Sequence, residues 1–235
     1  MYKKFLTLLV IGLSFAKALS AQTADDIINK HIEARGGLAK LKALESIVMT
    51  GSLNQNGTDV TMKFVVAQNK GARVEYSVMG QTGYSIVTPA AGWNMNPFMG
   101  ATEPTALTPD QLKESQTQLD IQGPFVDYKA KGNKIEYLGK ETVDGKECFK
   151  IKLTRASGKT STYYFDNSYN NVRNIITVTG QDGNDQELTT DYSDFRKTPE
   201  GYTFAFKRSV PQGEINFDKI EVNTKIDDAQ FKPGN

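Results

Sequence analysis

The sequence predicts a mainly-β protein with few helices, built on an antiparallel sheet of about 11–12 strands. After residue 46, short segments alternate apolar and polar residues, which is the period of a half-buried strand. Turn-forming dipeptides separate these segments roughly every 8–15 residues. Because almost no strand is joined to the next by a helical pattern, we expect the strands to pair antiparallel.

The first 21 residues have the layout of a secretory signal peptide. Lys3 and Lys4 precede an almost wholly apolar run over residues 5–15, and small residues follow up to Ala21. The alternative is a buried helix or a membrane anchor, but the run is shorter than the ~20 residues that span a bilayer. We therefore expect cleavage after Ala21 and one domain over residues 22–235.

Two segments read as helical. In residues 23–44, Thr23 is a candidate N-cap, apolar residues recur at helical spacing, and Gly36-Gly37 separates a first helix from a second, shorter one. In residues 108–119, Thr108 as N-cap and a proline at the first helical position predict a helix start. The stretch between residues 92 and 109 is expected to be a long loop.

The remaining chain reads as hairpins. Inward and outward residues alternate in segments such as 60–66, 74–78, 149–154 and 202–206. The turns between strand-like segments carry glycine, which supplies the positive φ of tight hairpins; they include Asn56-Gly57, Asp144-Gly145, Ser157-Gly158 and Asp182-Gly183.

Charge and cysteine content exclude some classes of protein. Residues 22–235 carry a formal charge of −2, because the leader contains three lysines and no acid. A nearly neutral chain lacks the basic footprint of a nucleic-acid binder, so no nucleic-acid partner is expected. The one cysteine, Cys148, cannot form an internal disulfide.

Side chains suited to catalysis are few. One histidine, His31, and one cysteine cannot provide the ligands of a zinc site, and the chain has no nucleophile-elbow motif. Gly36-Gly37 follows a helix and so lacks the context of a phosphate loop, and residues 182–185 (DGND) predict a hairpin tip rather than a calcium site. We expect no metal, no cofactor and no catalytic residue. A pair of carboxylates for hydrolysis stays open, because sequence does not show their separation.

Inward-facing apolar residues are more numerous than the helices can easily cover. Two interpretations follow. Either these residues form an ordinary core beneath the helices, or a curved sheet leaves an apolar hollow of the kind that binds lipid.

Several segments, taken in order, resemble the LolA-like family, which includes the periplasmic carrier of outer-membrane lipoproteins. The N-terminal match is ADDIINKHIEARGGLAKLKALESIVMTGSL (24–53), with a helix, Gly-Gly, an L-x-x-L segment and a first strand. GWNMNPFMG (92–100) resembles the family's aromatic segment before its central helix. YLGKETVDGKECFKIKLTRASGKTSTYYFD (137–166) resembles its double hairpin, and DYSDFRKTPEGYTFAFK (191–207) and IEVNTKIDDAQFKPG (220–234) complete the set.

The resemblance implies a strongly curved, unclosed half-barrel with helices covering its concave mouth. It implies a non-enzymatic, chaperone-like role in the periplasm, where the protein shields acyl chains of lipids or lipoproteins during outer-membrane lipoprotein sorting. Inner- and outer-membrane proteins that release or receive the cargo would be further partners. The family's carriers use an inward arginine to hold the lid, and Arg73 is the candidate here.

We therefore expect a hydrophobic cavity and a lid. The expected cavity lining is Phe64, Tyr76, Trp93, Met95, Phe98, Phe149, Ile151 and Phe165. The expected lid residues are Ile28, Ile32, Gly36, Gly37, Leu41 and Leu112. Two alternatives stay open: an envelope sensor or scaffold whose helices fill the hollow, and a secreted hydrolase that uses Asp and Glu.

Overall fold

The computed structural model describes residues 22–55, 57–179 and 185–234. The expected signal peptide (1–21), Asn56 and the expected Asp182-Gly183 turn lie outside the described residues. Among the residues described, no helix is both long enough and apolar enough to cross a membrane.

Both helical segments begin at the expected caps. α1 spans Ala24–Ala34, and Thr23 and Asp26 form a reciprocal capping box at its start. α2 spans Leu38–Lys42. α3 spans Pro109–Ser115 with a capping box from Thr108, and a 3₁₀ helix over Gln116–Leu119 continues it. Two further 3₁₀ helices cover Pro97–Met99 and Asp228–Phe231.

The described strands form one antiparallel sheet, which confirms the predicted fold class. Their bounds are β1 Ser46–Gln55, β2 Thr58–Ala67, β3 Gly71–Val78, β4 Gln81–Val87, β5 Gly92–Met95, β6 Thr105–Ala106, β7 Lys134–Val143, β8 Lys146–Thr154, β9 Thr160–Phe165, β10 Asn171–Thr179, β11 Asp185–Lys197, β12 Thr203–Val210 and β13 Gly213–Val222.

The sheet has 13 strands, which corrects the expected 11–12. The expected loop over residues 92–109 contains β5 and β6. These strands are too short to show an alternating pattern, but β5 pairs with β4 through Trp93–Ile86 and Met95–Tyr84, and this ladder defines them.

The strand order is β6-β5-β4-β3-β2-β1-β13-β12-β11-β10-β9-β8-β7. The edge strands β6 and β7 do not pair with each other, so the sheet is not closed into a barrel. We call β1–β6 the first limb and β7–β13 the second limb. The two limbs join at the centre, where β1 pairs with β13.

The short helix α3 shows that the sheet curls. Leu112 packs with Val87 of β4, and Glu114 forms an ion pair of 2.5 Å with Lys159 in the β8–β9 turn. In a flat sheet β4 and β9, eight strands apart, would be separated by roughly 38 Å, whereas α3 is only about 10 Å long. The limbs therefore face each other across the mouth, and the helices lie on the concave face.

Register assigns side chains to the two faces. Met49, Phe64 and Ile220 share a row on the concave face, within the main core that also contains Ile27 and Ile28 of α1. Val65 and Ile86 belong to a separate cluster on the convex face, which the C-terminal 3₁₀ helix covers with Phe231.

Residues 107–133 carry the chain from one edge of the sheet to the other. This segment includes α3 and then a run of turns in which Phe125 and Val126 are buried in the main core. The segment therefore covers the mouth of the sheet. Its run of turns has neither a helical nor a strand period, so the sequence pattern does not predict this part of the cover.

Candidate functional site

An open apolar hollow lies at one end of the first limb. It has a volume of about 720 Å³. Its walls come from concave-face positions of β1, β2 and β3 and from the turn that follows β5; they are Leu53, Gln55, Thr58, Val60, Met62, Tyr76, Val78, Asn96, Phe98 and Met99. Its apolar side chains at the middle of the strands are half-buried.

Tyr76 and Phe98 form an aromatic wall of this hollow. Their ring centroids are 5.8 Å apart, and the Tyr76 hydroxyl donates a hydrogen bond of 3.2 Å to the Met95 carbonyl. The Tyr76 ring lies over Gly83, where a Cβ would come within 2.4 Å of it, so the glycine makes room for the ring. Phe98 and Met99 are 41% and 83% exposed at the rim.

The second limb is filled instead of open. Ile28, Ile32 and Leu41 of the expected lid are buried against this part of the sheet. Beneath them, Ile151 and Phe165 are wholly buried. Phe149 is buried as well, and the Tyr169 ring stacks on it at 5.4 Å between centroids. These expected cavity residues therefore form part of a packed core.

Polar contacts hold α1 closed over the second limb. His31 Nδ1 lies 2.8 Å from the Tyr169 carbonyl oxygen and donates a hydrogen bond to it, since a carbonyl can only accept. Lys30 Nζ donates to the Tyr169 hydroxyl at 3.0 Å, which lowers the pKa of Tyr169. Burial lowers the pKa of His31 to about 3, so the imidazole is neutral at physiological pH.

Gly36 and Gly37 provide the break between α1 and α2. Both have positive φ, +123° and +91°. A Cβ on Gly36 would come within 2.8 Å of the Gly201 carbonyl oxygen, so the break is packed directly against the β11–β12 turn. Leu112, the expected lid residue of α3, packs over the first limb with Val66, Ala72 and Val87.

Three residues expected to face inward lie on the convex face. Trp93 and Met95 pack with Val65 and Ile86 under the C-terminal segment, so they do not line the hollow. Arg73 lies in the same row, 4.4 Å from the Tyr84 ring centroid and ion-paired to Glu75 at 2.7 Å. Strand register reverses their assignment: Arg73 pairs with Val65 and Ile86, whereas its neighbour Val74 pairs with inward-facing Phe64.

The inward-facing arginine is Arg208 on β12, which the sequence reasoning missed. Its guanidinium carbon lies 5.8, 5.6 and 5.4 Å from the ring centroids of Phe64, Tyr192 and Phe217. Arg208 also lines a second cavity of about 350 Å³, together with His31 and Arg35 of α1 and its C-cap. Arg208 follows Phe204 and Phe206 on the inward face of β12, and its pairing with Ile215 confirms that face.

Arg35 fastens the end of α1 to the covering segment. Its Nη1 donates to the Gln122 carbonyl at 2.9 Å, and its own carbonyl accepts from Thr203 N at 3.1 Å. Burial lowers the pKa of Arg35 to about 10, which leaves the guanidinium charged at neutral pH.

Groups suited to catalysis do not come together in the described part of the chain. His31 packs against the rings of Phe125 and Phe165. Cys148 is buried in a convex-face cluster with Val143 and Tyr164, and burial raises the pKa of its thiol.

Acidic and metal-binding groups are equally unsuited to chemistry. No group of three His, Cys, Asp or Glu side chains in the described residues could hold a metal ion. Asp110 and Glu114 line one surface cleft, but both are exposed and Glu114 is paired with Lys159. This is not the desolvated carboxyl that general-acid chemistry requires.

Comparison with known proteins gives structural matches alone. No protein-family model and no curated protein matches this sequence. The fold is similar to the crystal structure of a LolA superfamily protein from Nitrosomonas europaea, at a TM-score of 0.54 and 13% identity over 90% of this chain and 98% of that one. A DUF1329 family protein from Desulfovibrio piger matches at a TM-score of 0.50 and 12% identity, over 90% and 98% of the two chains.

The chain has a LolA-like fold. At these identities the similarity extends to architecture, so the chemistry of the site has to be read from this chain's own residues. Within this LolA-like sheet, Phe64, Tyr76 and Phe98 lie in or beside open space, whereas Phe149, Ile151 and Phe165 are buried in the core that α1 helps to form. Whether an inward-facing strand residue is covered depends on residues far away in the chain, so the alternating pattern of a strand does not predict it.

Proposed function

We propose that this protein is a periplasmic binder, and in that capacity a carrier, that shields acyl chains of lipids or lipoproteins in its hollow. The observation that supports the proposal is the open apolar space of about 720 Å³ on the concave face of the first limb. Its size falls within the range of small-molecule sites, roughly 300–1,000 Å³, and its lining is largely apolar as such sites are.

The energetics suit reversible binding. Burying a methylene group is favourable by about 0.8 kcal/mol, so ten methylenes provide about 8 kcal/mol before the costs of association. Micromolar affinity corresponds to a net value near 8 kcal/mol, so an acyl chain longer than ten methylenes is needed to reach it after those costs. A carrier needs affinity in this range, because it must release its cargo as well as take it up.

The same proposal includes export directed by residues 1–21, a single domain over residues 22–235 and a non-enzymatic mode of action. Outer-membrane lipoprotein sorting is the process we expect it to serve, with membrane proteins that release and receive cargo as partners. In this proposal α1, α2 and α3 act as the lid, and Gly36-Gly37 as its hinge.

Native mass spectrometry of the protein purified from a cell envelope tests the binding step. We expect a lipid or acylated adduct that organic extraction removes. A dansyl-labelled fatty acid then measures affinity: Val60→Glu places a carboxylate in the hollow and should weaken binding at least tenfold. Leu138→Glu, at a residue of β7 that is 44% exposed, is the matched control and should bind like the wild type.

A second candidate is a sensor or scaffold module that carries no cargo. The observation that favours it is the filled second limb, where Ile27, Ile28 and Ile32 occupy the space that a ligand would need. This candidate predicts no adduct and no binding of the dansyl fatty acid by the wild type. Unchanged lipoprotein sorting in cells that lack the protein would contradict the carrier role while leaving the binder role intact.

A further inference from the structure

Arg208 is a cation in an apolar setting. The rings of Phe64, Tyr192 and Phe217 surround its guanidinium and stabilise the positive charge through their faces. Rings do not accept the in-plane N–H groups of a guanidinium as an oxygen does. In the part of the chain that the structure describes, Arg208 Nε is buried and has no hydrogen-bond acceptor.

Its sequence neighbour shows the contrast. Lys207, which faces the other side of β12, forms an ion pair of 3.0 Å with Glu214. Arg208 has no such partner among the ion pairs of the described residues. Leaving a buried donor unsatisfied costs about 1–3 kcal/mol, so an acceptor supplied from outside the chain would bind here favourably.

The adjoining cavity of about 350 Å³ has room for such a group. Arg35 lines it as a second cation, and its one carboxylate, Asp120, is neutralised by Lys131 at 2.6 Å. The cavity is therefore electropositive and has room for an anionic group.

Register places Arg208 in the same row of the concave face as residues of the hollow. Arg208 pairs with Ile215, Ile215 pairs with Leu53, and Leu53 pairs with Val60, all in one row of the concave face. Leu53 and Val60 line the hollow. Two strand spacings separate Arg208 from Leu53, which is about 10 Å. One amphiphile can thus place its chain in the hollow and its polar end at Arg208.

We propose that Arg208 anchors the anionic group of the cargo, a phosphate or a carboxylate, and so selects anionic amphiphiles over neutral ones. This inference rests on the proposed acyl-chain binding in the hollow. The planar guanidinium can donate two parallel hydrogen bonds to either kind of anion, an arrangement that a lysine ammonium cannot reproduce.

Three chain-matched ligands test the proposal by competition with the dansyl fatty acid: hexadecyl phosphate, palmitate and hexadecanol. We expect the wild type to bind hexadecyl phosphate, palmitate or both at least tenfold more tightly than hexadecanol. The arm with the larger preference identifies the anion. Arg208→Gln should abolish the preference by weakening the anionic ligands, with hexadecanol unchanged.

Arg196→Gln is the matched control. Arg196 also lies over an aromatic ring, Phe206 at 4.6 Å, but it is already ion-paired to Asp194. It should retain the wild-type preference. Equal affinity of the wild type for all three ligands would overturn the role of Arg208 and leave the binder proposal standing, whereas no binding of any ligand would overturn both.

The melting temperature provides a second readout. Because Arg208 Nε is buried without a partner, Arg208→Gln should leave the ligand-free protein as stable as the wild type or more so. Hexadecyl phosphate should raise the melting temperature of the wild type but not of Arg208→Gln. A large loss of stability in Arg208→Gln without ligand would show that the arginine is a structural residue and would contradict the anchor role.

Discussion

In both limbs, side chains at alternating strand positions face the concave side of the sheet. The limbs differ in how deeply these side chains are buried. Ile151 and Phe165 of the second limb are wholly buried beneath α1. Met62 and Tyr76 of the first limb face the same concave side but are half-buried and line the open hollow. The period of a strand therefore decides which face a residue occupies, whereas the cover decides whether that face becomes core or cavity.

The largest expected effect is on the filled limb. Ile28→Asp places a carboxylate among buried side chains of α1 and the sheet. A buried unpaired charge costs about 5 kcal/mol or more of folding free energy, so chemical denaturation should show loss of most of the stability. Asn29→Asp, at an exposed position of the same helix, should unfold within about 0.5 kcal/mol of the wild type. Equal stability of the two variants would contradict a packed lid.

Acid should destabilise the packing of α1 on the second limb. The pKa of His31 is lowered from 6.5 to about 3 by burial, so the unfolded chain binds more protons between these values. Stability therefore falls as the pH decreases through this range, by about 2 kcal/mol at pH 5 and about 4 kcal/mol at pH 3.

The matched variant for this prediction is His31→Gln. It retains an N–H donor for the Tyr169 carbonyl but does not titrate. Its free energy of unfolding, measured from pH 7 to pH 4, should depend less steeply on pH than that of the wild type, by up to about one proton. Parallel pH profiles for the two proteins would contradict a buried neutral histidine.

Truncating one apolar side chain on each limb sharpens the comparison. Ile151→Ala creates a cavity in a packed core and should cost about 3–4 kcal/mol of stability. Met62→Ala enlarges a space that is already open and should cost about 1 kcal/mol. Urea denaturation of both variants measures the difference, and equal costs would show that the hollow is as well packed as the core.

The Gly36-Gly37 break should show a smaller effect than Ile151→Ala. Gly36→Ala introduces a Cβ at φ +123° that meets the Gly201 carbonyl at 2.8 Å, so it should cost about 2–3 kcal/mol through strain and overlap together. Gly158→Ala, at φ +85° with open space around it, isolates the conformational term and should cost about 1 kcal/mol. Thermal melts of the pair separate the two contributions.

The sequence was informative wherever the signal is local. The capping boxes at Thr23 and Thr108 and the Gly36-Gly37 break are short-range chemistry, and all three occur as expected. The described sheet has one or two strands more than the expected 11–12, and the short strands at one edge account for the difference. β5 and β6 are defined by the partners they pair with and not by a pattern of their own.

The site was only partly predictable, because register is not local. Trp93 and Arg73 were assigned to the wrong face, since moving one residue along a strand reverses the side to which a residue points. Arg208 continues the inward-facing alternation of Phe204 and Phe206, but the sequence does not show what surrounds it. Its three aromatic neighbours come from three strands, β2, β11 and β13, that the sheet brings together from distant parts of the chain.

The order of the strands has a consequence for folding. Within each limb every strand pairs with its neighbour in sequence, so both limbs can grow by successive hairpins; β1–β13 is the one ladder of the described sheet that joins distant segments. Closing that ladder requires ordering nearly the whole chain, which makes it the expected slow step. A circular permutant that links residue 234 to residue 22 and opens the chain between residues 129 and 130 would make every ladder of the described sheet join strands that are consecutive in the chain. We expect that permutant to fold faster than the natural order of the same strands.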